Sequence, residues 1–179
     1  MKKMSHHVKV LTCSAAAAVI AAGTFSAVSA TASAAAPKVS TSHSNLTASS
    51  HLSITAAAKA AQAVLDAARK DGQKLSVAVV DRNGNTIVTM RGDGAGPQSY
   101  ESAVKKAYTA VSWNAPTSRL VKSLDKTPNL KDIPGTLFLA GGAPIQSTGA
   151  PVAGIGVGGA SSGDQDEKFA QEGVAALGR

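Results

Sequence analysis

Residues 90–110 concentrate the side chains of this sequence that are best suited to bind a ligand. They read MRGDGAGPQSYESAVKKAYTA: a glycine-rich loop, a proline and then an amphipathic stretch. Tyrosine offers an aromatic face and a hydroxyl, while arginine and lysine pair with carboxylates. The pattern is compatible with a phosphate cradle, an adhesion loop, a catalytic site or a loop that shapes a pocket for a flat, apolar molecule. Its candidate ligand-binding residues are Arg91, Tyr100, Glu101, Lys105, Lys106 and Tyr108.

The residue types that are missing narrow the chemistry. All four histidines, at positions 6, 7, 43 and 51, and the single cysteine, Cys13, precede residue 52. The rest of the sequence therefore has no Ser–His–Asp or Cys–His arrangement and no histidine-based zinc site. Its acidic residues form no evident pair. These absences favour a binding protein over a hydrolase.

Three short motifs carry little functional information. Arg91-Gly92-Asp93 spells an adhesion tripeptide, which we interpret as chance, and no Gly-Lys-Ser/Thr follows the loop to make a phosphate-binding P-loop. The N–H groups of Tyr100 and Glu101 could hold an anion at a helix start, or Ser99 could simply cap that helix. Residues 154–159 match G-x-G-x-x-G without the βαβ unit that a dinucleotide site needs. Their glycines are expected to allow close packing against a ligand, a helix or a neighbouring subunit.

The beginning of the sequence has the pattern of a secretory signal peptide, predicted to span residues 1–34. Lys2, Lys3 and Lys9 precede an alanine-rich apolar run that ends in small residues, with cleavage expected after Ala30 or Ala34. Residues 35–51 are rich in Ser, Thr and Ala and are predicted to form a flexible leader before a domain at 52–179. The expected location is therefore extracellular.

The charge of the mature chain is only mildly positive. Removal of the three signal lysines leaves 15 basic residues against 11 acidic ones, a net charge of +4. The mature chain lacks the basic and aromatic stripe that single-stranded nucleic acids require, so no nucleic-acid partner is expected.

Hydrophobic periodicity predicts an α+β fold with a mainly antiparallel sheet. The first predicted helix is capped by Ser53 or Thr55 and runs to about Lys70. The others cover residues 100–113, 117–124 and a terminal segment that begins at Ser161 or Ser162. The predicted strands cover residues 74–80, 86–90, 136–140, 143–146 and 152–157, and Asn83-Gly84 forms the turn of a hairpin. Pairing through hairpins, rather than through helical crossovers, is what makes the sheet antiparallel.

Four segments resemble the GlcG-like family, and in particular its secreted haem-binding sensor proteins. They read VAVVDRNGN, GAGPQSYESAVKKAYTAVSWNAPTS, IPGTLFLAGGAPI and GAPVAGIGVGGASSGDQDEKFAQEG, and the likeness spans residues 52–179. The resemblance implies a profilin-like three-layer α/β/α arrangement and a homo-oligomer, expected to be an octamer. It also implies haem or a related tetrapyrrole as ligand and the extracellular part of a membrane sensor kinase as partner.

The resemblance assigns roles to individual residues. It places the haem-iron ligand at Thr136, in the Pro-Gly-Thr segment, where strand initiation is the alternative role. The iron-binding E-x-x-E motif of the family begins at Glu101, but Val104 replaces its second glutamate, which weakens a metal site there. The loop and helix of residues 90–110 then form one wall of the pocket. Tyr100 and Tyr108 offer aromatic faces or hydroxyls, and Arg91, Lys105 and Lys106 either pair with propionates or lie on the solvated surface.

Three functions follow from these observations. The leading hypothesis is a secreted accessory sensor of haem, iron or oxidative stress in a two-component system. The alternatives are an enzyme that degrades haem or acts on a small carbonyl or corrinoid compound, and a structural oligomer that docks to a receptor. No catalytic residue is assigned, and a purely binding role is favoured.

Overall fold

A computed structural model describes residues 40–178 of the chain. The predicted signal peptide lies outside the described residues, and so does the first part of the predicted leader. Residues 40–51 are exposed and contain one 3-10 turn, His43–Asn45. Within residues 40–178, no helix is long and apolar enough to cross a bilayer. The folded unit runs from Leu46 onwards and has a single main hydrophobic core.

Four helices and four strands make up this unit. In chain order they are α1 (Ile54–Lys70), β1 (Ser76–Asp81), β2 (Thr86–Arg91), α2 (Pro97–Trp113), α3 (Thr117–Val121), β3 (Gly142–Ser147), β4 (Ala150–Gly158) and α4 (Gly163–Ala175). Short 3-10 segments at Lys122–Asp125, Pro128–Asp132 and Ala176–Gly178 complete the described chain. The sheet has the order β2-β1-β4-β3, and all three pairings are antiparallel. The predicted α+β class is confirmed.

The two faces of the sheet are covered differently, which gives three layers. Helices α1 and α4 pack on one face, where alanines of α1 meet Val77, Val79, Ile155 and Phe169 in the main core. Helix α2 packs on the other face, against β1 and β4, around Val80, Ala107 and Val111. This is the three-layer α/β/α arrangement that the family resemblance implies.

Glycines in β4 let α2 lie directly on the sheet. A Cβ atom at Gly154 would come within 2.3 Å of the Ala107 carbonyl oxygen, and one at Gly156 within 2.1 Å of the Ala103 carbonyl oxygen. Both contacts are with helix backbone, so a side chain at either position would have to push the helix away. The sequence left three packing partners open for these glycines: a ligand, a helix or a neighbouring subunit. The structure shows that they pack against a helix, α2.

Two local predictions are wrong. Helix α2 begins at Pro97 with Gly96 as N-cap, while Ser99 is buried and bonds to the Ser76 hydroxyl at 2.8 Å. Proline suits the first helical position, because its missing N–H would have no partner there. Tyr100 and Glu101 consequently lie beyond the unpaired N–H groups of the helix end and form no anion cradle.

The strand predicted for residues 136–140 is also absent. Gly135 adopts a left-handed φ of 81°, and the Thr136 N–H bonds back to the Ile133 carbonyl at 3.3 Å, so the chain turns instead of extending. The next donor, Leu137 N–H, bonds to the Thr109 hydroxyl of α2 at 2.8 Å and not to a neighbouring strand. The apolar composition of residues 136–140 predicts a strand, but it does not show which acceptors their backbone N–H groups bond to.

The β1–β2 hairpin is organised by Asp81. Its carboxylate accepts the backbone N–H groups of Asn83 and Asn85, each at 2.8 Å, and the Asn85 side-chain amide at 3.2 Å. Partial burial acts to raise the pKa of Asp81, but the hydrogen bonds from Asn85 and Asn83 outweigh it and hold the pKa below its ordinary value.

Replacement of Asp81 by alanine is expected to destabilise the domain by about 1 kcal/mol at pH 7, because the turn amides lose their acceptor. A carboxyl whose pKa is lowered in the folded state contributes stability above its ordinary pKa of about 3.9 and loses it as the pH falls through the folded value. Urea unfolding of Asp81→Ala and wild type should therefore differ at pH 7, and the difference should shrink as the pH falls through the folded pKa of Asp81. Asp125→Ala, at an exposed carboxylate, is the control, and a difference that is independent of pH would refute this role.

Candidate functional site

Tyr108 lies between two glycine turns on the outer side of α2. A Cβ atom at Gly135 would lie 3.6 Å from Tyr108 Cε1, and one at Gly84 would lie 2.7 Å from Cε2. Both glycines have positive φ, 81° and 90°, so the chain can turn closely past the ring on each side. The structure thus brings together two predicted ligand-binding elements, Tyr108 and the Pro-Gly-Thr segment that contains Thr136.

Thr136 directly follows Gly135, the residue that passes this ring. Its Oγ1 donates a hydrogen bond to the Ile133 carbonyl at 2.7 Å, which leaves the lone pairs of the oxygen available. The segment is fixed to α2 by the bond from Leu137 N–H to Thr109 and by an edge-to-face contact of Phe138 with Trp113, whose ring centroids are 5.2 Å apart. Thr136 is therefore a positioned oxygen donor at a partly exposed site.

The outer side of α2 continues this surface. Tyr100, Val104 and Tyr108 recur every four residues, so they lie along one side of the helix over about 12 Å. Tyr100 is 51% exposed, and the other two are half-buried. On the adjacent row, Lys105 Nζ lies 3.5 Å from Glu101 Oε1, and both side chains are well exposed. This ion pair gives Glu101 a lysine neighbour, with Val104 where a second carboxylate would be needed.

The structure offers Glu101 no further support as a metal ligand. Among residues 40–178, no group of three or more His, Cys, Asp or Glu side chains is close enough to hold a metal ion. An isolated carboxylate paired with a lysine is a weak ligand for a hard cation, which usually takes several oxygen donors.

Arg91 lies elsewhere. Its Nε donates to the Ala95 carbonyl at 3.1 Å, and its guanidinium lines a recess of about 460 Å³ together with Leu65 and Ala68 of α1. None of its hydrogen bonds within the described chain reaches Tyr108 or Thr136. Closeness in sequence to the tyrosines therefore does not place Arg91 at the same surface.

Lys106 is the largest departure from expectation. It was predicted to lie on the surface or to meet propionates, but only 5% of its side chain is exposed, and its Nζ lies 2.7 Å from Asp166 Oδ2. The same ammonium donates to the Val157 carbonyl at 3.0 Å, and Asp166 Oδ1 accepts the Ala160 N–H at 2.9 Å. The burial of Lys106 could have been predicted from its spacing, because it lies on the buried, alanine-rich side of α2 with Ala103 and Ala110.

A second buried carboxylate adjoins this ion pair. Glu167 accepts the Ser118 N–H at 2.8 Å and the Gly141 N–H at 3.3 Å, and it also binds the Ser118 hydroxyl. These bonds tie the start of α3 and the chain before β3 to α4. Glu167 is satisfied by fixed backbone donors, which marks it as a structural group.

The buried ion pair lies at the wall of a recess that is larger than the one beside Arg91. This recess, called here the α4 recess, has a volume of about 1010 Å³ and is lined by Lys106, Arg119, Lys122, Leu139, Ser162 and Asp166, among others. Thr136, Tyr100 and Tyr108 do not line it. The Tyr108–Thr136 surface and the α4 recess are thus two separate features.

Comparison with known proteins identifies the family. Residues 52–175 match the model of a family described as haem degrading protein HbpS-like. The chain belongs to this family. A double glutamate-to-aspartate mutant of Streptomyces reticuli HbpS is 66% identical in sequence, with a TM-score of 0.79 over 81% of this chain and 99% of that one. The predicted family resemblance is therefore confirmed.

Two more distant relatives are one solved structure and one protein matched by sequence. A structure described as a PduOC:haem complex is 27% identical, with a TM-score of 0.65 over 71% of this chain and 95% of that one. An uncharacterized 15.0 kDa protein of Citrobacter freundii, encoded in the dhaT-dhaS intergenic region, is 29% identical over 125 residues, which are 67% of this chain and 87% of the relative. The HbpS-like likeness thus covers the whole folded unit.

Proposed function

We propose that this chain is a haem-binding protein that holds the tetrapyrrole against the outer side of α2, with the Thr136 hydroxyl next to the iron. The observation that carries the proposal is the close passage of Gly135 past the Tyr108 ring, because it brings the next residue, Thr136, with its oriented hydroxyl, near an aromatic side chain. Membership of the HbpS-like family and the likeness to a protein solved as a haem complex support the choice of ligand.

The donor set at this surface fits ferric haem. Residues 52–178 contain no histidine or cysteine, so the iron ligand has to come from oxygen, methionine or lysine. Ferric iron is a hard ion that accepts oxygen donors, and Thr136, the residue after Gly135, is partly exposed. Bound haem would supply an iron centre that can change oxidation state.

Lys105 is the residue placed to bind a propionate. It lies one helical turn from Tyr108, and among residues 40–178 its ammonium pairs only with the exposed carboxylate of Glu101. Exposed ion pairs contribute about 0.2–1 kcal/mol, so Lys105 can exchange Glu101 for a ligand carboxylate at little cost. Tyr100 and Val104 extend the apolar part of the same surface toward the start of α2.

Titration of the purified chain with hemin tests the proposal. The Soret band is expected to shift and to saturate at a fixed ratio of haem to chain, because a Thr136 ligand and the Tyr108 ring change the surroundings of the iron. Lys105→Gln is expected to weaken binding by about two- to fivefold, as loss of one exposed charge pair would. A spectrum that remains that of free hemin at every ratio would refute haem binding.

Haem degradation is a second candidate, favoured by the description of the matching family. Degradation and simple binding are distinguished by adding a reductant or peroxide to the haem complex and following its Soret band. If the Soret band of the complex is lost faster than that of free hemin, the chain promotes degradation. If the band persists, the chain is a carrier or sensor only.

The proposal extends to export and signalling. The basic start, apolar run and small-residue exit of residues 1–34 support secretion, and the family resemblance supports an accessory role for a membrane sensor kinase. Sequencing of the protein from culture supernatant should find a start at residue 31 or 35, and an intact Met1 would contradict export. If the sensor role is correct, deletion of the gene should alter the transcriptional response to hemin or peroxide.

Assembly into an octamer is also proposed. The family resemblance is the ground for this proposal, and the exposed apolar side chains of Tyr100, Ile133 and Leu139 are available for contacts between chains. Sedimentation equilibrium should give the mass of eight chains, and a monomeric mass at micromolar concentration would contradict the assembly.

A further inference from the structure

The α4 recess has features of a binding site that the proposed haem surface does not use. At its base lies Lys106, which is 4% exposed and is held by Asp166 Oδ2 and the Val157 carbonyl. A lysine ammonium has three N–H donors, and among residues 40–178 these two acceptors engage only two of them. One donor of a rigidly held, buried cation therefore remains at the wall of a cavity of about 1010 Å³.

The charge at the rim of the α4 recess is unbalanced. Lys106 and Asp166 neutralise each other, which leaves the exposed cations Arg119 and Lys122 against the carboxylate of Asp164. Neither Arg119 nor Lys122 has a carboxylate within salt-bridge distance in the described chain. Unpaired cations around a concave site attract anions and raise their local concentration.

Part of the wall of the α4 recess is apolar. Leu139 is 55% exposed there, and Val121, Ala140 and Ala160 lie in the same wall. Binding sites for small molecules commonly combine such an apolar wall with a few convergent polar groups. A simple inorganic ion would leave the apolar wall in contact with water.

The geometry points to a second ligand site in the α4 recess, for a small organic acid whose carboxylate meets Lys106, Arg119 and Lys122 and whose apolar body covers Leu139 and Val121. The carboxylate can accept the remaining Lys106 N–H together with a donor from either rim cation. This site is independent of the proposed haem surface, since Thr136 and Tyr108 do not line it.

Saturation-transfer NMR with butyrate as the probe tests this site. The full chain should bind butyrate saturably, and the neutral isostere butyramide should bind at least fivefold more weakly. Arg119→Gln/Lys122→Gln should weaken butyrate by about fivefold or more, since two partly exposed charge contacts are lost. Arg82→Gln, at an exposed hairpin cation, is the matched control and should leave binding unchanged.

The outcomes separate this site from its alternatives. Equal affinity of the rim double variant and wild type, or equal affinity for butyramide and butyrate, would overturn the proposal. Inorganic phosphate has no apolar body. If it displaces butyrate and binds the α4 recess more tightly than butyrate does, the apolar part of the assignment would be overturned. Thr136→Ala should bind butyrate normally, and a failure of hemin to bind would not alter this result. Stoichiometric displacement of butyrate by hemin would show that the two sites are one.

Discussion

Replacement of Gly156 with alanine is expected to lower the free energy of unfolding by about 3 kcal/mol, the upper part of the usual range for overpacking. The new Cβ would lie 2.1 Å from the Ala103 carbonyl oxygen and 2.4 Å from the Ala107 amide nitrogen. Both atoms belong to the backbone of α2, so no side-chain rotation relieves the clash. Either the helix or the central strand β4 has to move, and the move also disturbs the outer side of α2, where haem is proposed to bind.

Urea unfolding followed by circular dichroism measures this effect. Gly178→Ala is the control, because a Cβ at Gly178 meets nothing within 4 Å and should change stability by less than about 0.5 kcal/mol. If the midpoints of Gly156→Ala and Gly178→Ala agree, the packing of α2 on β4 is not as close as described.

Removal of the Lys106 ammonium is expected to have a comparable effect. Lys106→Met leaves the Asp166 carboxylate buried without its cation, and loss of one partner of a buried ion pair costs about 3–5 kcal/mol. The double variant Lys106→Met/Asp166→Asn removes both charges and keeps an acceptor for the Ala160 N–H. It should recover most of the lost stability, since the cost comes from an uncompensated charge.

Lys105→Met is the matched control for this experiment. Lys105 is the adjacent residue on the same helix, but its pair with Glu101 is exposed and should contribute no more than about 0.5 kcal/mol. If Lys106→Met and Lys105→Met lose similar stability, or if the double variant is no more stable than Lys106→Met, the buried pair does not have the role assigned to it.

Periodicity was sufficient to predict most elements of the fold. Alanine spacing in α1, the Asn83-Gly84 turn and the glycine-rich run of β4 each have a local signal that sets the element type. The start of α2 was misplaced because Pro97 is the better first helical residue and Ser99 is needed to bond Ser76 on the sheet. A cap is a local preference that tertiary contacts can override.

The candidate site was less predictable than the fold. Family resemblance supplied Thr136, but no sequence pattern indicates that Gly135 passes the Tyr108 ring, because that contact depends on how a turn of residues 133–136 docks on α2. Lys106 was misjudged because closeness in sequence to the site does not show that its side chain is buried against Asp166. Arg91 is exposed, which is one of the two roles that the sequence left open, and it bonds to Ala95. Burial of Lys106 could have been suspected from its place on an alanine stripe, although its partner Asp166, 60 residues later, could not.

Comparison of hemin binding by Thr136→Ala and Thr148→Ala is the most direct measurement of the central claim. Both hydroxyls donate to a backbone carbonyl, Thr136 to Ile133 at 2.7 Å and Thr148 to Ser147 at 2.8 Å, so the two substitutions remove equivalent local bonds. Thr136→Ala is expected to lose the protein-specific Soret shift or to weaken hemin binding at least tenfold, since an iron ligand is lost, while Thr148→Ala matches wild type. Identical spectra and affinities for the two variants would contradict the placement of haem iron at Thr136.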